Sequence, residues 1–119
     1  MCLSGWKFAR KWFSGKGLRK CLAFEVREKG LEVKQQQPIK VFYKKLIVGE
    51  YIADLLVEKR IIVELKTAKS IDEIHLAQCL NYLKATNLPL CLLINFGKPR
   101  VEVKRLYQSV NLRNFFSEE

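Results

Sequence analysis

Tyr51-Ile-Ala-Asp54-Leu-Leu-Val-Glu-Lys-Arg-Ile-Ile-Val-Glu64-Leu-Lys66 reads as two apolar strands joined by a short charged turn. With the turn centred on Lys59, Asp54 stands opposite Glu64. Opposed residues share a face, with Cβ atoms roughly 4.5–5.5 Å apart. Lys66 joins that face because strand side chains repeat every second residue. Two carboxylates so close repel, which destabilises a hairpin unless a cation lies between them. A divalent metal beside a lysine accounts for the pattern. The competing reading is a solvated strand face on which Glu64 and Lys66 are ordinary surface residues. Leu55-Leu56-Val57 and Ile61-Ile62-Val63 are apolar on both faces, as in an interior strand, and charges inside such a sheet need a reason. A one-residue slip of register would undo the pairing.

At 119 residues the chain is one domain with room for a core. A hydrophobic content of 49% with 29% charged residues fits a soluble globular protein. No apolar run approaches the roughly 20 residues that span a bilayer. The first residues lack the uninterrupted apolar segment of a signal peptide, so no membrane partner and a cytoplasmic location are expected. Cys2, Cys21, Cys79 and Cys91 lack paired metal-ligand spacing and read as reduced, mostly buried thiols. His75 is the only histidine, which disfavours a Cys/His zinc site. The net charge of +10 suggests a polyanionic partner, but six basic residues and no acid fall within residues 1–20. Without them the remainder carries 16 basic and 12 acidic residues, a net of +4, compatible with nucleic acid without demanding it.

Leu18 to Lys29 has helical spacing that Gly30 stops. Glu32 to Gln36 reads as a short strand before Pro38, and Ile39–Tyr43 and Leu46–Val57 as strands around a Lys44-Lys45 turn. Ser70-Ile-Asp-Glu73 is a capping-box sequence with Ser70 as N-cap. The helix it opens should run to about Thr86, where Asn87-Leu-Pro89 ends it. Leu90–Phe96 is a buried strand, parallel to an earlier one because a helix precedes it. Val101–Tyr107 closes the set as an exposed strand. The expected fold class is α/β (α+β), with the order αβββαβ(β) and a mixed sheet flanked by helices. On the second helix Ile71, His75, Gln78 and Tyr82 form one stripe, and Ile74, Ala77, Leu80 and Leu83 the expected apolar seam. Gln78 and Tyr82 are one turn apart and can reach one ligand, or form the polar flank of an amphipathic helix. His75 reads as a packing or capping residue.

Asp54 followed by Glu64-Leu-Lys66 on the next strand resembles the D…(D/E)-x-K core of the PD-(D/E)xK nuclease superfamily, whose common core is αβββαβ. Gln78-Cys-Leu-Asn-Tyr82 resembles the Q-x-x-x-Y element of its RecB-like and Cas4-like branches. More closely, residues 20 to about 107 resemble the small bacterial GxxExxY protein family. The resemblance lies in Ala53-Asp-Leu-Leu-Val-Glu, Val63-Glu-Leu-Lys66, Ile74-His-Leu-Ala-Gln78, Asn81-Tyr-Leu-Lys-Ala-Thr and Leu92-Leu-Ile-Asn-Phe-Gly97. It implies a nuclease-like domain over 20–110, preceded by an atypical basic segment at 1–19 and followed by a tail at 111–119. It further implies hydrolysis of DNA phosphodiester bonds, with Asp54 and Glu64 binding Mg²⁺ or Mn²⁺ helped by the backbone carbonyl of Leu65. Lys66 would position the attacking water or stabilise charge on the phosphate oxygens. Gln78 and Tyr82 would brace the site or touch the DNA backbone. A non-catalytic nucleic-acid- or partner-binding module with the same fold is the alternative. A dimerisation protein has only Phe115-Phe116 in its favour.

The motif that gives the GxxExxY family its name does not match. Where it belongs, the chain has Trp12-Phe-Ser-Gly-Lys-Gly-Leu18, without the first-helix acid and tyrosine. Trp12 to Arg19 is encodable as TGG TTT TCT GGA AAA GGG TTA CGA. Read one base later, this gives Gly-Phe-Leu-Glu-Lys-Gly-Tyr, the missing motif, with re-entry in the codons of Arg19-Lys20. The other reading is a divergent basic-aromatic surface arm. Under the frameshift reading, the coding DNA upstream encodes a family-like amphipathic helix in the shifted frame. Sequencing that frame and finding no such helix contradicts it.

Overall fold

The computed structural model describes residues 15–108. Cys2, the basic stretch up to residue 14 and the tail at 111–119, with Phe115-Phe116, lie outside them. Apolar spacing at Leu18, Leu22 and Val26 produces helix α1 (Gly15–Glu28), three residues earlier than its expected start. Gly30 follows at φ 85°, a left-handed conformation that costs glycine little.

Strands β1 (Val33–Tyr43) and β2 (Leu46–Val57) form a long hairpin turned at Lys44, φ 54°. The two short strands expected on either side of Pro38 are thus one. Pro38 is tolerated because β1 is an edge strand, where a missing amide need not break a ladder. Strand β3 (Ile61–Lys66) follows a tight turn with Glu58 at φ 55° and Lys59 at φ 58°, closed by the Arg60 amide donating to the Val57 carbonyl at 3.0 Å. Helix α2 (Glu73–Thr86), β4 (Leu90–Asn95) and β5 (Glu102–Tyr107) complete the order. The sheet runs β1-β2-β3-β4-β5, parallel between β3 and β4 and antiparallel elsewhere, as the intervening helix leads one to expect. Among the described residues this is a mixed α+β fold with one helix on each face.

Two apolar layers hold it together. Leu18, Leu22 and Ala23 of α1 pack on Val33, Leu55, Val57, Val63 and Ile94. Cys79, Tyr82 and Leu83 of α2 pack on Ile39, Ala53, Ile62, Cys91 and Leu93 across the sheet. Each buried aliphatic side chain contributes roughly 1.5–3 kcal/mol, so β3 and β4, buried on both faces, anchor the domain. Cys79 and Cys91 are free thiols in the second layer, and Cys21 is a half-buried one in the first. No helix among the described residues is long and apolar enough to cross a membrane.

Helix α2 corrects two expectations. Its N-cap is Asp72, not Ser70, and the partner is His75 instead of Glu73. The His75 amide donates to Asp72 Oδ1 at 3.1 Å, and the Asp72 amide donates to His75 Nδ1 at 3.3 Å. A carboxylate complements the positive end of a helix better than a neutral hydroxyl. His75 is therefore a capping residue. The seam also differs, because Ile74 is 77% exposed and Leu80 40%. The buried stripe is Cys79, Tyr82 and Leu83: a small thiol lets the helix approach Ala53 and Cys91, and a tyrosine ring buries more area than a leucine.

Beyond β3 the chain is pinned by β4. Asn95, fully buried, accepts from the Ala68 amide at 3.0 Å and donates to the Ala68 carbonyl at 2.9 Å. The Phe96 amide donates to the Lys66 carbonyl at 2.8 Å. Gly97 lies so close that a Cβ would stand 2.2 Å from the Ala68 carbonyl oxygen and 2.7 Å from the Thr67 carbonyl carbon. Neither backbone atom can yield as a flexible side chain would. Gly97→Ala is therefore expected to lower stability by about 1–3 kcal/mol or more in urea melts. Unchanged melts would contradict this packing.

Candidate active site

The β2–β3 ladder comprises Val57 with Ile61, Leu56 with Ile62 and Leu55 with Val63. That is the register of a turn centred on Lys59, and the next pair is Asp54 with Glu64. There the side chains replace the ladder. The Asp54 amide donates to Glu64 Oε1 at 3.1 Å, and the Leu65 amide donates to Asp54 Oδ2 at 2.8 Å. Each carboxylate thus satisfies an amide of the opposite strand, which an unpaired buried N–H requires.

The other edge of Asp54 is also irregular. The β1–β2 register passes from Gln35 with Leu55 to Gln37 with Ala53, omitting Gln36 and Asp54, and Gln36 has φ 51°. The consequence appears in the packing. Leu55 and Val57 lie in the α1 layer, whereas Ala53, two residues away, lies in the α2 layer. A regular strand would keep all three on one face. The strands therefore turn over at Asp54, and its neighbours need not follow the alternation that places Glu64.

Glu64 is 4% exposed and Asp54 half-buried. Burial, with the Asp54 carboxylate alongside, pushes the Glu64 carboxyl up from 4.5 to about 7. The Asp54 amide and Lys66 pull the other way, and burial wins. Lys66 Nζ donates to Gln78 Oε1 at 3.4 Å, so α2 steadies the lysine at the edge of the carboxylate pair. Tyr82 is 2% exposed below it, its phenol pKa raised by burial and by Glu64. The fold therefore gathers Asp54, Glu64, Lys66, Gln78 and Tyr82 at one place. Gln78 lies close enough to reach a ligand there, while buried Tyr82 is a packing and shaping residue.

Two contributors were not evident in the sequence. The Tyr51 ring lies 5.6 Å from that of Tyr82, tilted by 54°, and is 42% exposed at the rim. Its position three residues before Asp54 was the available signal. Asn95 pairs with Lys66 in the parallel register and holds the segment that follows it. A lone amide closing an apolar run was its signal.

The residues fit a hard divalent cation. Each carboxylate has one oxygen on an amide, while Asp54 Oδ1 and Glu64 Oε2 have no hydrogen-bond donor among the described residues. Among those residues no group of three or more His, Cys, Asp or Glu side chains converges, so the remaining ligands would be main-chain, water or substrate oxygens. Mg²⁺ is commonly held by one or two carboxylates in that way.

The sequence model of the PD-(D/E)XK nuclease superfamily matches residues 12–106. No curated protein sequence matches the chain. Among solved structures, it is similar to an alkaline exonuclease from Laribacter hongkongensis, with a TM-score of 0.54 and 16% identity over 81% of this chain. The chain spans 57% of that exonuclease. At this identity the likeness concerns the fold.

The raised carboxyl makes cation-free stability depend on pH. Folded Glu64 keeps its proton to about pH 7, whereas the unfolded group releases it near 4.5. The folded state therefore binds more protons between those values. This contribution is full below pH 4.5 and is lost as pH rises through about 7. The difference is on the order of 3 kcal/mol. In urea melts with a chelator, the protein should lose stability from pH 5 to pH 8, and Glu64→Gln should flatten that fall. Parallel pH profiles for the two proteins would contradict the burial of Glu64.

Proposed function

Since the chain belongs to the PD-(D/E)XK nuclease superfamily, we propose that it hydrolyses DNA phosphodiester bonds with Mg²⁺ or Mn²⁺. The observation that carries this reading is the pair of half-buried Asp54 and buried Glu64, each with one oxygen lacking a donor among the described residues, beside Lys66. The GxxExxY branch, a cytoplasmic location and a nuclease-like domain over 20–110 belong to the same reading.

Asp54, Glu64 and the Leu65 carbonyl would hold the cation. When bound, it supplies Lewis-acid polarisation of the scissile phosphate and lowers the pKa of a coordinated water. Lys66, steadied by Gln78, would offer a charge-assisted donor to the phosphate oxygens or orient the attacking water. Gln78 would also touch the DNA backbone. Tyr82 contributes by shape, closing the floor beneath Glu64 and keeping its surroundings poorly solvated. The Asn95 clamp fixes the chain after Lys66, which limits the positions its amine can sample.

A second reading, a non-catalytic nucleic-acid-binding module, is favoured by one observation. The first turn of α1 carries no acid. Instead, Arg19 donates to Gln35 at 3.1 Å, bringing a cation to the β1 residue paired beside Asp54.

Cleavage of linear, nicked and single-stranded DNA with Mg²⁺ or Mn²⁺ separates the two. Lys66→Ala is expected to slow cleavage by about 10²–10³-fold. Asp54→Asn and Glu64→Ala should remove both cleavage and cation binding. Cation binding that survives Glu64→Ala sinks the site assignment. DNA binding without turnover favours the second reading.

A further inference from the structure

The strand that carries Asp54 continues well past it. Only Leu55–Val57 of β2 pair in the ladder with β3, so between residues 46 and 53 β2 is paired with β1 alone among the described residues. Ile39 anchors the base of this two-stranded ribbon under α2, buried to 3%. Phe42, Tyr43, Leu46 and Val48 are each more than half exposed. Such a run of apolar side chains at a hairpin end is an aggregation hazard unless it has a use.

Its charge indicates the partner. Lys40 faces Glu50 across the ribbon, but Lys44 and Lys45 at the turn have no ion-pair partner among the described residues. Lys44 lies 5.7 Å above the Tyr43 ring. Unpaired lysines beside exposed aromatic and aliphatic side chains suit a polyanion that also offers apolar surface. Duplex DNA provides both, as phosphates outside and base edges with thymine methyl groups within. A two-stranded ribbon fits its major groove.

We infer that the β1–β2 ribbon is a duplex-DNA arm, with Lys44 and Lys45 on phosphates and the exposed tip against base edges. This deepens the phosphodiesterase reading and rests on it for the meaning of the distance from the site. Eight residue steps from Asp54 to Leu46 span roughly 26 Å. At about 3.4 Å per base pair, the tip would engage DNA about eight base pairs from the phosphate facing the cation site of Asp54 and Glu64. The arm would therefore make the protein sensitive to duplex length and to the presence of a second strand.

Fluorescence anisotropy with the full chain in chelator tests this without turnover. The probes are a duplex of about 24 base pairs, one of about six, and a single strand of about 24 nucleotides. Lys44→Glu/Lys45→Glu should weaken binding to the long duplex roughly tenfold or more. It should also reduce the slope of log affinity against log salt by about 2. Lys44→Gln/Lys45→Gln, milder for folding, should show a smaller loss in the same direction. The gap between parent and variant should close on the short duplex and narrow on the single strand. Equal affinity of parent and both variants for the long duplex overturns the proposal. So does an equal loss on duplex and single strand, or a two-chain mass that the variants dissolve without changing DNA affinity. If the parent cleaves nothing but the duplex-specific loss is observed, the arm stands and the nuclease reading falls. Cleavage by the parent with unchanged affinity in the variants gives the reverse.

Discussion

Everything at the centre of this fold depends on two carboxylates doing what backbone carbonyls do elsewhere in a sheet. Asp54 and Glu64 each accept an amide hydrogen from the opposite strand, at the place where the β2–β3 ladder ends. The exchange satisfies both amides but confines two negative charges. Near a protein surface, at an effective dielectric of about 20, like charges 4 Å apart repel by about 4 kcal/mol. The molecule has two ways to relieve this. Without a cation burial favours the protonated form of Glu64, whose carboxyl is raised to about 7. With a cation the proton becomes unnecessary, and the free oxygens are available as ligands. Lys66 alone does not relieve it, since its lowering influence on Glu64 is smaller than the effect of burial.

The surroundings maintain that confinement. Tyr82 closes the α2 side, and the small side chains of Cys79, Ala53 and Cys91 let the helix approach closely enough for Gln78 to reach Lys66. Asn95 and Gly97 hold the chain after Lys66 from the far strand. The turnover of β1 and β2 at Gln36 and Asp54 releases the upper hairpin from the sheet's own alternation. Site and ribbon are thus two consequences of one break in regular pairing.

Much of this was legible in the residues. Centring the turn on Lys59 gives the observed ladder of Val57 with Ile61 and Leu55 with Val63, but strands apolar on both faces do not by themselves exclude a one-residue slip. The apolar run from Leu90 identified the parallel strand. The faces were harder. Periodicity assumes unbroken alternation, and it could not reveal the inversion between Ala53 and Leu55, which lies beside a left-handed Gln36 on the neighbouring strand. On α2, hydropathy favoured Ile74 and Leu80, but close approach to the sheet selected Cys79 and Tyr82. Ser70 lost the cap because Asp72 offers a charge to the same helix end. Asn95 shows in the sequence only as a lone amide closing an apolar run, because its role lies in tertiary bonds to Ala68 and Gly97.

The central claim is that a divalent cation takes the place of the Glu64 proton. Calorimetric titration with Mg²⁺ at about pH 6, in two buffers of different ionisation enthalpy, measures that exchange directly. Release of close to one proton per cation bound is expected, since a group with its pKa raised to about 7 is mostly protonated there. Cation binding without proton release would contradict it, as would the same binding in Glu64→Gln.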